Sequence, residues 1–338
     1  MNSIFNELEN GILALPNISH IERNDEVLFN DFFSQNKETL DYGNSWPYIV
    51  QSTFFKGYKY FDGDTLIAFT LKEPNKLPFV ITKALGKAAL EKTILLANKL
   101  HKLSNEKVIL KNLSDKQFDF FRKNGFSDYQ KGDCWNNFYN YDDDSFPETV
   151  IQLRPLMDKK GEDYKSLRYH LNHFSKKVGF EIKEYDLSNH LSDANNVLNY
   201  WVNSIKERYP KHLQNDPIYL HSVDLHRKYI SELPAGKNGQ HYFANILYAN
   251  NQPAGFALLS KISDKCVGVY SNFCKNSHKG LSETLLYYSL ARAYAAGFEF
   301  ANFGGAEFEN LLEFRYKFNP MTHLQRHHAI LYPKKVRE

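Results

Sequence analysis

Cysteine is scarce in this chain of 338 residues. The three cysteines, Cys134, Cys266 and Cys274, form neither a CxxC pair nor the spacing of a zinc site. Because they are few, odd in number and far apart, they predict reduced thiols and a cytoplasmic location rather than a disulfide framework. We expect neither a disulfide nor a metal cofactor.

Long apolar runs are also missing. No stretch approaches the ~18 uninterrupted apolar residues that a membrane-spanning helix needs, and residues 1–7 lack the pattern of a signal peptide. Charge is balanced as well, since 42 basic residues against 39 acidic ones give a formal net charge of +3. We therefore expect a soluble protein in which any phosphate-binding surface is local.

The contents of apolar and charged residues, 42% and 24%, are those of a globular protein. The length predicts about two domains. An acidic stretch with one proline, residues 141–147, offers little to bury and is the best linker. We predict an N-terminal domain over residues 1–147 and a C-terminal domain over residues 148–338.

Both halves show the same order of predicted elements, β-β-β-α-β-α-β. In the first half these are a hairpin over 56–72, a strand over 78–82, a helix over 87–103, a strand over 107–110, a helix over 115–124 and a strand over 135–139. In the second half they are a hairpin over 242–259, a strand over 266–273, a helix over 281–296, a strand over 298–303, a helix over 309–318 and a strand over 322–331.

The register of the two halves also agrees. Gly86 and Gly280 precede the long helices and lie 194 residues apart, and Ala97 and Ala291 within those helices show the same separation. This predicts an internal duplication, against the alternative that two α+β domains share an element order by chance. A basic helix over 159–177, a strand over 180–185 and a helical insertion over 186–235 have no counterpart in the first half.

Three short motifs accompany this order. The stretch Gly161–Arg168 has the pattern G-x-x-Y-x-x-x-R, the run Asn302-Phe303-Gly304-Gly305 closes a predicted strand, and Leu312–Pro320 reads L-x-F-R-x-x-F-x-P. Over about residues 44–332 the chain resembles the Fem aminoacyl-tRNA transferases and the C-terminal region of the phosphatidylglycerol lysyltransferases. The resemblance implies an α+β fold of two tandem domains like those of the GNAT (Gcn5-related N-acetyltransferase) superfamily. Each domain would be a mixed sheet flanked by helices.

The resemblance also implies acyl transfer. An activated acyl or aminoacyl group would move from acyl-CoA or aminoacyl-tRNA, as co-substrate, onto an amine or hydroxyl of a small molecule, a peptide or a lipid headgroup. The N-terminal domain would be non-catalytic and the C-terminal domain catalytic. Two alternatives stay open: a plain acyl-CoA N-acyltransferase, and a non-catalytic module of the same fold that binds RNA or an acidic lipid.

Two departures from the family pattern narrow the chemistry. Arg315 stands where these families usually have lysine, and a guanidinium stays protonated, so it can stabilise charge but cannot act as a general base. The glycine-rich loop of GNAT enzymes is reduced to residues 275–282 with Gly280 alone. This weakens the case for acetyl-CoA and favours another activated acyl group.

Candidate catalytic residues are Arg315 and Tyr270, a potential proton donor to the leaving group. Strand alternation places Tyr270 on the same face as Asn272. The alternative for Arg315 is a surface ion pair with Glu309 or Glu313. Candidate donor-binding residues lie near the start of the second long helix, whose free N–H groups can hold phosphate: Asn272, Lys275, His278, Lys279 and Gly280. The alternative for that loop is an ordinary solvated turn.

Candidate substrate-binding residues come from the three motifs: Tyr164, Lys165, Arg168, Asn302, Gly304, Gly305 and Lys317. The basic helix over 159–177 could hold a tRNA acceptor stem or CoA phosphates through Lys and Arg, or be a solvated helix face. Gly304 and Gly305 could let substrate approach the backbone, or could only turn the chain.

Overall fold

The structure is a computed structural model that describes residues 2–53, 56–71, 79–128, 147–208, 217–232, 241–275, 277–305 and 309–332. The chain forms two compact units. Unit 1 comprises Met1–Asn36, Tyr48–Phe146 and Gln325–Glu338, and unit 2 comprises Lys37–Pro47 and Pro147–Leu324. Cys134, the predicted strand over 135–139 and most of the predicted linker lie outside the described residues.

Unit 1 is built on a mixed sheet with the strand order β1-β2-β3-β4-β5-β14-β6. Its strands are β1 (Ile18–His20), β2 (Gly57–Phe61), β3 (Thr65–Leu71), β4 (Phe79–Gly86), β5 (Val108–Leu113), β6 (Ser127–Asp128) and β14 (His327–Leu331). Its helices are α1 (Asn2–Leu13), α2 (Asp25–Phe33), α3 (Trp46–Ser52), α4 (Ala89–Ser104) and α5 (Asp115–Lys123).

Helix α4 shows why these sequences form a core. Leu96, Ala97 and Leu100 recur at helical spacing, are buried, and pack on strand residues such as Phe69 and Leu110. Helix α5 begins at a capping box in which Ser114 accepts from Gln117 N and the Gln117 side chain accepts from Ser114 N. Apolar spacing thus sets the helices, and polar caps set their ends.

Unit 2 repeats the architecture with the strand order β13-β7-β12-β11-β10-β9-β8. Its strands are β7 (Glu148–Gln152), β8 (Phe180–Glu184), β9 (Tyr242–Ala249), β10 (Gln252–Lys261), β11 (Cys266–Cys274), β12 (Phe300–Asn302) and β13 (Thr322–Leu324). Its helices are α6 (Leu153–Asp158), α7 (Lys165–Lys177), α8 (Leu187–Arg208), α9 (Pro217–Glu232), α10 (Leu281–Ala295) and α11 (Glu309–Tyr316).

The two sheets share their connectivity. In each, antiparallel strands lead to one parallel pair, β4 with β5 and β11 with β12. In each, a strand from a distant part of the chain then adds antiparallel to the second member: β14 lies between β5 and β6, and β7 lies between β12 and β13. The prediction of two mixed sheets flanked by helices is confirmed.

Two predicted boundaries need correction. The single strand expected over 322–331 is two strands, β13 and β14, because Thr322–Leu324 pairs with β7 whereas His327–Leu331 pairs with β5. Residues 325–332 therefore belong to unit 1 rather than to the C-terminal domain. The segment 37–47 belongs to unit 2 because its hydrogen bonds go to that unit. Among the described helices, none has the length and apolarity needed to cross a bilayer.

Candidate functional site

The candidate site of unit 2 lies where strands β11 and β12 part. Three parallel pairs join them, ending with Gly268 opposite Asn302. Strand β11 continues to Cys274, whereas β12 ends at Asn302. The register of β10 against β11 shifts at Leu258/Leu259, so Tyr270 is the extra residue of a β-bulge. From residue 269 onward, the backbone groups of β11 on the side of β12 therefore have no neighbouring strand to pair with among the described residues.

A segment of the chain, residues 37–47, lies along this edge, and we call it the strap. The Tyr42 hydroxyl donates to Val269 O at 2.9 Å, and the Tyr42 ring stacks on the Tyr270 ring with centroids 4.5 Å apart. The Tyr270 hydroxyl donates to Tyr42 O at 2.7 Å and also contacts the Ser45 hydroxyl. In this conformation the gap between β11 and β12 is therefore filled by Tyr42.

Further hydrogen bonds anchor the strap on the C-terminal side of Tyr42. Asn44 Nδ2 donates to Ile262 O at 2.8 Å, and the Tyr229 hydroxyl of α9 donates to Pro47 O at 2.9 Å. Asn44 is 2% exposed and Ser45 1% exposed. The strap is thus a packed part of unit 2 rather than a loop over its surface.

A buried carboxylate and a buried amide form the other wall of the gap. Glu148 of β7, 6% exposed, accepts from Asn302 Nδ2 at 2.7 Å and from Tyr42 N at 3.2 Å through the same oxygen. Asn302 also donates to Leu40 O and accepts from Gly304 N. The predicted residue Asn302 therefore lies in the gap, beside a carboxylate that the sequence analysis did not select.

Arg315 is the anchor of the turn that follows β12. It is 5% exposed, and its guanidinium donates to Gly304 O at 2.6 Å and to Gly305 O at 2.8 Å. Because Arg315 is buried, it does not form the surface ion pair with Glu309 or Glu313 that was the alternative. Gly304 has φ +70°, and a Cβ there would lie 3.1 Å from the Tyr42 ring, so the position requires glycine. Arg315 holds this turn against Tyr42; its role in charge stabilisation stays a prediction.

Tyr270 and Asn272 do not share a face, contrary to the strand alternation. Tyr270 contacts Tyr42 and the α9 residue Tyr229, whereas Asn272 Nδ2 donates to Ser282 Oγ of α10 at 3.0 Å. The bulge at Tyr270 breaks the alternation between them. Burial, together with the nearby Tyr42, raises the pKa of Tyr270 well above its usual value, so its hydroxyl stays protonated and can donate a hydrogen bond.

The start of α10 was predicted to bind phosphate, but its backbone is not open to a ligand. Gly280 has φ +89°, and a Cβ there would lie 2.2 Å from His170 O of α7, so the loop is covered by that helix. In the first turn of α10 the buried carboxylate of Glu283 pairs with Lys317 Nζ at 2.7 Å and lies 3.8 Å from His170 Nε2. Glu283 thus places negative charge at the positive end of the α10 dipole.

Basic side chains of α7 and of the loop before α10 lie near one another, both lysines exposed and both histidines half-buried, and we call them the basic cluster: His173, Lys177, His278 and Lys279. Lys279 Nζ lies 4.8 Å from the centre of the Tyr169 ring. Burial and the positive charges of Lys177 and Lys279 lower the pKa of His173. Lys275, the remaining predicted donor residue, lies 5.8 Å from the Tyr200 ring of α8.

The motif at residues 161–168 shapes the start of α7. Tyr164 is 4% exposed and belongs to the core, and burial raises its pKa. Arg168 donates to Lys159 O at 2.5 Å and to Gly161 O at 2.7 Å, and Lys165 pairs with Glu162 on the surface. These contacts fold the turn before α7, and substrate binding by the three residues stays a prediction.

Unit 1 has an equivalent parting of strands. Strands β4 and β5 part after Ile81 and Leu110, and Thr82 is the extra residue of a bulge against β3. The cleft at this place has a volume of ≈ 30 Å³, enough for only a few water molecules.

The comparisons with known proteins agree with this architecture. The family model for the C-terminal part of phosphatidylglycerol lysyltransferase matches residues 38–332. The chain belongs to this family. Family membership identifies it as an acyltransferase and confirms the predicted resemblance. No curated protein matches the sequence.

Solved structures share the fold of this family member at low sequence identity. A conserved protein of unknown function from Bacteroides thetaiotaomicron has a TM-score of 0.73 and 12% identity, covering 93% of this chain and 99% of its own. FemX has a TM-score of 0.61 and 11% identity, with coverages of 93% and 96%. L-PGS from Bacillus licheniformis has a TM-score of 0.59 and 13% identity, with coverages of 94% and 93%. The prediction of two tandem GNAT-like domains is confirmed.

Three site residues escaped the sequence analysis: Tyr42, Glu148 and Glu283. Glu148 had little local signal, because its strand Glu148–Gln152 is apolar only at Val150 and Ile151. Tyr42 lies among turn-forming residues in the run Asp41-Tyr42-Gly43-Asn44. Nothing local links that run to β11.

Proposed function

We propose that this chain transfers an aminoacyl group from aminoacyl-tRNA to an amine or hydroxyl acceptor, at the gap between β11 and β12 of unit 2. The acyl transfer itself follows from the family; the donor and the location are our proposal. We place the reaction in unit 2 and take the N-terminal unit 1 to be non-catalytic.

One observation supports an aminoacyl group in particular. The gap holds a whole amino-acid residue, Tyr42, by its N–H, its carbonyl and its side chain. Glu148 accepts from the nitrogen, and the Tyr270 hydroxyl donates to the carbonyl oxygen at 2.7 Å. An α-ammonium group needs a carboxylate, and an ester carbonyl needs a donor where charge develops on its oxygen. Glu148 and Tyr270 offer both.

Charge at the start of α10 favours tRNA over acyl-CoA. A CoA pyrophosphate would need open N–H groups at the Gly280 turn, where His170 O covers the backbone and Glu283 supplies a carboxylate. The basic cluster faces solvent beside that turn and offers lysines and histidines that can bind a nucleic-acid backbone. A ribose-phosphate chain lying on this surface needs no pyrophosphate cradle.

The reaction would be a direct acyl exchange. The acceptor oxygen or nitrogen attacks the carbonyl carbon of the aminoacyl ester, the ribose oxygen leaves, and the proton lost by the acceptor passes to that leaving oxygen. Arg315 stays charged, so its part is to hold the Gly304 turn against the acyl group. Tyr270, protonated throughout, donates to the developing oxyanion. Positioning supplies most of the acceleration.

The acceptor class follows from the family alone. The family is named for phosphatidylglycerol, and we propose a hydroxyl of such a headgroup, with an amine of a peptide as the second candidate. The test offers radiolabelled aminoacyl-tRNA together with phosphatidylglycerol vesicles or a lysine-containing peptide. A parallel reaction offers acetyl-CoA and longer acyl-CoAs with the same acceptors.

The expected result is label in the lipid or peptide fraction that depends on intact aminoacyl-tRNA. Glu148→Gln should abolish most of this transfer. Tyr248→Phe, which removes a hydroxyl bonded to Asp193 elsewhere in unit 2, should not. Thioester consumption without any transfer from tRNA would instead establish an acyl-CoA enzyme and reject the proposed donor.

A further inference from the structure

The strap raises a problem for any donor that binds at β11. Val269 O and the Tyr270 hydroxyl are the polar groups nearest the bulge, and both are bonded to Tyr42. The Tyr42 ring lies against Gly304, the turn residue after β12. An acyl group cannot enter this space while Tyr42 fills it, because packed protein interiors leave no room for a second occupant.

The contacts of Tyr42 are those of a ligand rather than of a core residue. Tyr42 itself is only partly buried, and its backbone N–H and C=O contact Glu148 and Tyr270, residues far from it in sequence. Its bond to Glu148 is long, at 3.2 Å. A charged ammonium group would make a stronger bond to the same carboxylate.

We infer that Tyr42 is an internal occupant of the aminoacyl subsite, so that the strap and the donor compete for the gap between β11 and β12. This inference rests on the proposed function, since it names what the gap receives once the strap has left. Donor binding then includes withdrawal of Tyr42, so the apparent Kd is the intrinsic Kd divided by the fraction of molecules in which the gap is open.

The turn around Tyr42 is the part of the strap that can move. It is held by its own bonds, since Gly43 N donates to Asp41 Oδ1 at 2.8 Å and Asn44 N donates to Asp41 O at 2.9 Å. The Tyr42 side chain attaches this turn to the sheet through one hydrogen bond and one aromatic stack, each of which is worth little by itself in water, whereas Asn44 and Pro47 stay anchored. Removing the Tyr42 side chain would therefore shift the balance toward an open gap.

The test measures binding of an acceptor-stem minihelix that carries its amino acid through a stable amide linkage. The proteins compared are wild type, Tyr42→Phe, Tyr42→Ala and the control Tyr248→Phe. We expect Tyr42→Ala to bind about tenfold more tightly than wild type, with Tyr42→Phe in between, and Tyr248→Phe to bind as wild type does. Thermal melting confirms that each variant folds. If Tyr42→Ala does not fold, Tyr42→Phe, which retains the ring, still tests the inference.

Hydrogen exchange of the wild-type strap supplies a readout that is independent of affinity. The amide of Tyr42, which donates to Glu148, should exchange faster when the aminoacylated minihelix is bound, but not with the uncharged minihelix. Binding with unchanged protection of the strap, or equal or weaker binding by both Tyr42 variants, would overturn this inference while leaving the proposed donor intact. Absence of binding by wild type and both variants would reject the proposed donor and the competition together.

Discussion

The Arg315 guanidinium donates to Gly304 O at 2.6 Å, from a side chain that is almost wholly enclosed. A second bond to Gly305 O makes the planar fork of the guanidinium a clamp on the turn after β12. The clamp and the Tyr42 ring hold Gly304 from two sides.

Arg315→Ala should lower both stability and turnover. Loss of the clamp removes the hydrogen bonds of a charged group to Gly304 O and Gly305 O and leaves Gly304 O with Thr149 N alone among the described donors, which costs about 1–3 kcal/mol of unfolding free energy. Arg315→Lys keeps the charge but not the fork, and should fall between wild type and alanine. Chemical denaturation and initial rates measure the two effects, with Arg227→Ala as the control because Arg227 lies on the surface beside Asp224. An alanine variant of unchanged stability would remove Arg315 from the role of clamp.

Local pattern was enough to predict the elements that surround this site. Strand β11 and helix α10 begin at the predicted residues and end within one residue of the predicted ends, because apolar periodicity and the glycine before α10 are local signals. The duplication was visible for the same reason. The similarity of the two units extends to single residues: Thr82 and Tyr270 are both bulge residues, each at the point where a parallel pair of strands separates.

Long-range contacts were not predictable in this way. Tyr42 and Tyr270 are 228 residues apart, and β14 reaches β5 from the far end of the chain. No short window of sequence records such pairings. The prediction that Tyr270 and Asn272 share a face was also wrong. One extra residue in a strand reverses the alternation of side chains beyond it.

Glu148→Gln should reduce turnover by at least tenfold and weaken donor binding. Glutamine is nearly the same size but offers no negative charge to an α-ammonium group, and its NH₂ would oppose Asn302 Nδ2. The check is kcat/KM for aminoacyl transfer, with Glu181→Gln on β8 as a matched surface control. If the glutamine variant keeps its affinity for an aminoacylated minihelix, the carboxylate does not bind the amine.

The Glu283 and Lys317 pair should show energetic coupling. Lys317→Met leaves the buried Glu283 carboxylate without its nearest cation, so this single change should destabilise the protein more than Glu283→Gln combined with Lys317→Met. A double-mutant cycle by denaturation should give a coupling of about 0.5–3 kcal/mol. Additive effects of the two substitutions would mean that the pair does not stabilise α10.

The pH dependence of stability should include a contribution from His173. Its pKa is lower in the folded protein than in the unfolded chain, chiefly because of burial and then because of Lys177 and Lys279. As the pH falls below about 6.5, the unfolded chain takes up the proton first, so the folded state loses stability on the acidic side. Above that pH both states are neutral at this residue and the contribution vanishes.

The variant His173→Gln cannot take up this proton in either state. Its melting temperature should therefore fall less than that of wild type between pH 7.5 and 5.5. His101→Gln, in unit 1, is the control because its ring lies in an exposed setting at the end of α4. Equal losses in wild type and His173→Gln would show that folding does not perturb His173.

Salt dependence should identify the basic cluster as the surface that binds tRNA. Each lysine that contacts a phosphate displaces a bound counterion, so binding weakens as a power of the salt concentration, with a slope of about 0.7–0.9 per contact. Lys177→Ala and Lys279→Ala should each lower the affinity for an acceptor-stem minihelix and reduce that slope by about one contact. Lys183→Ala is the control, since Lys183 lies on β8 and pairs with Glu181. If all three variants show the wild-type slope, the RNA backbone lies on another part of the protein.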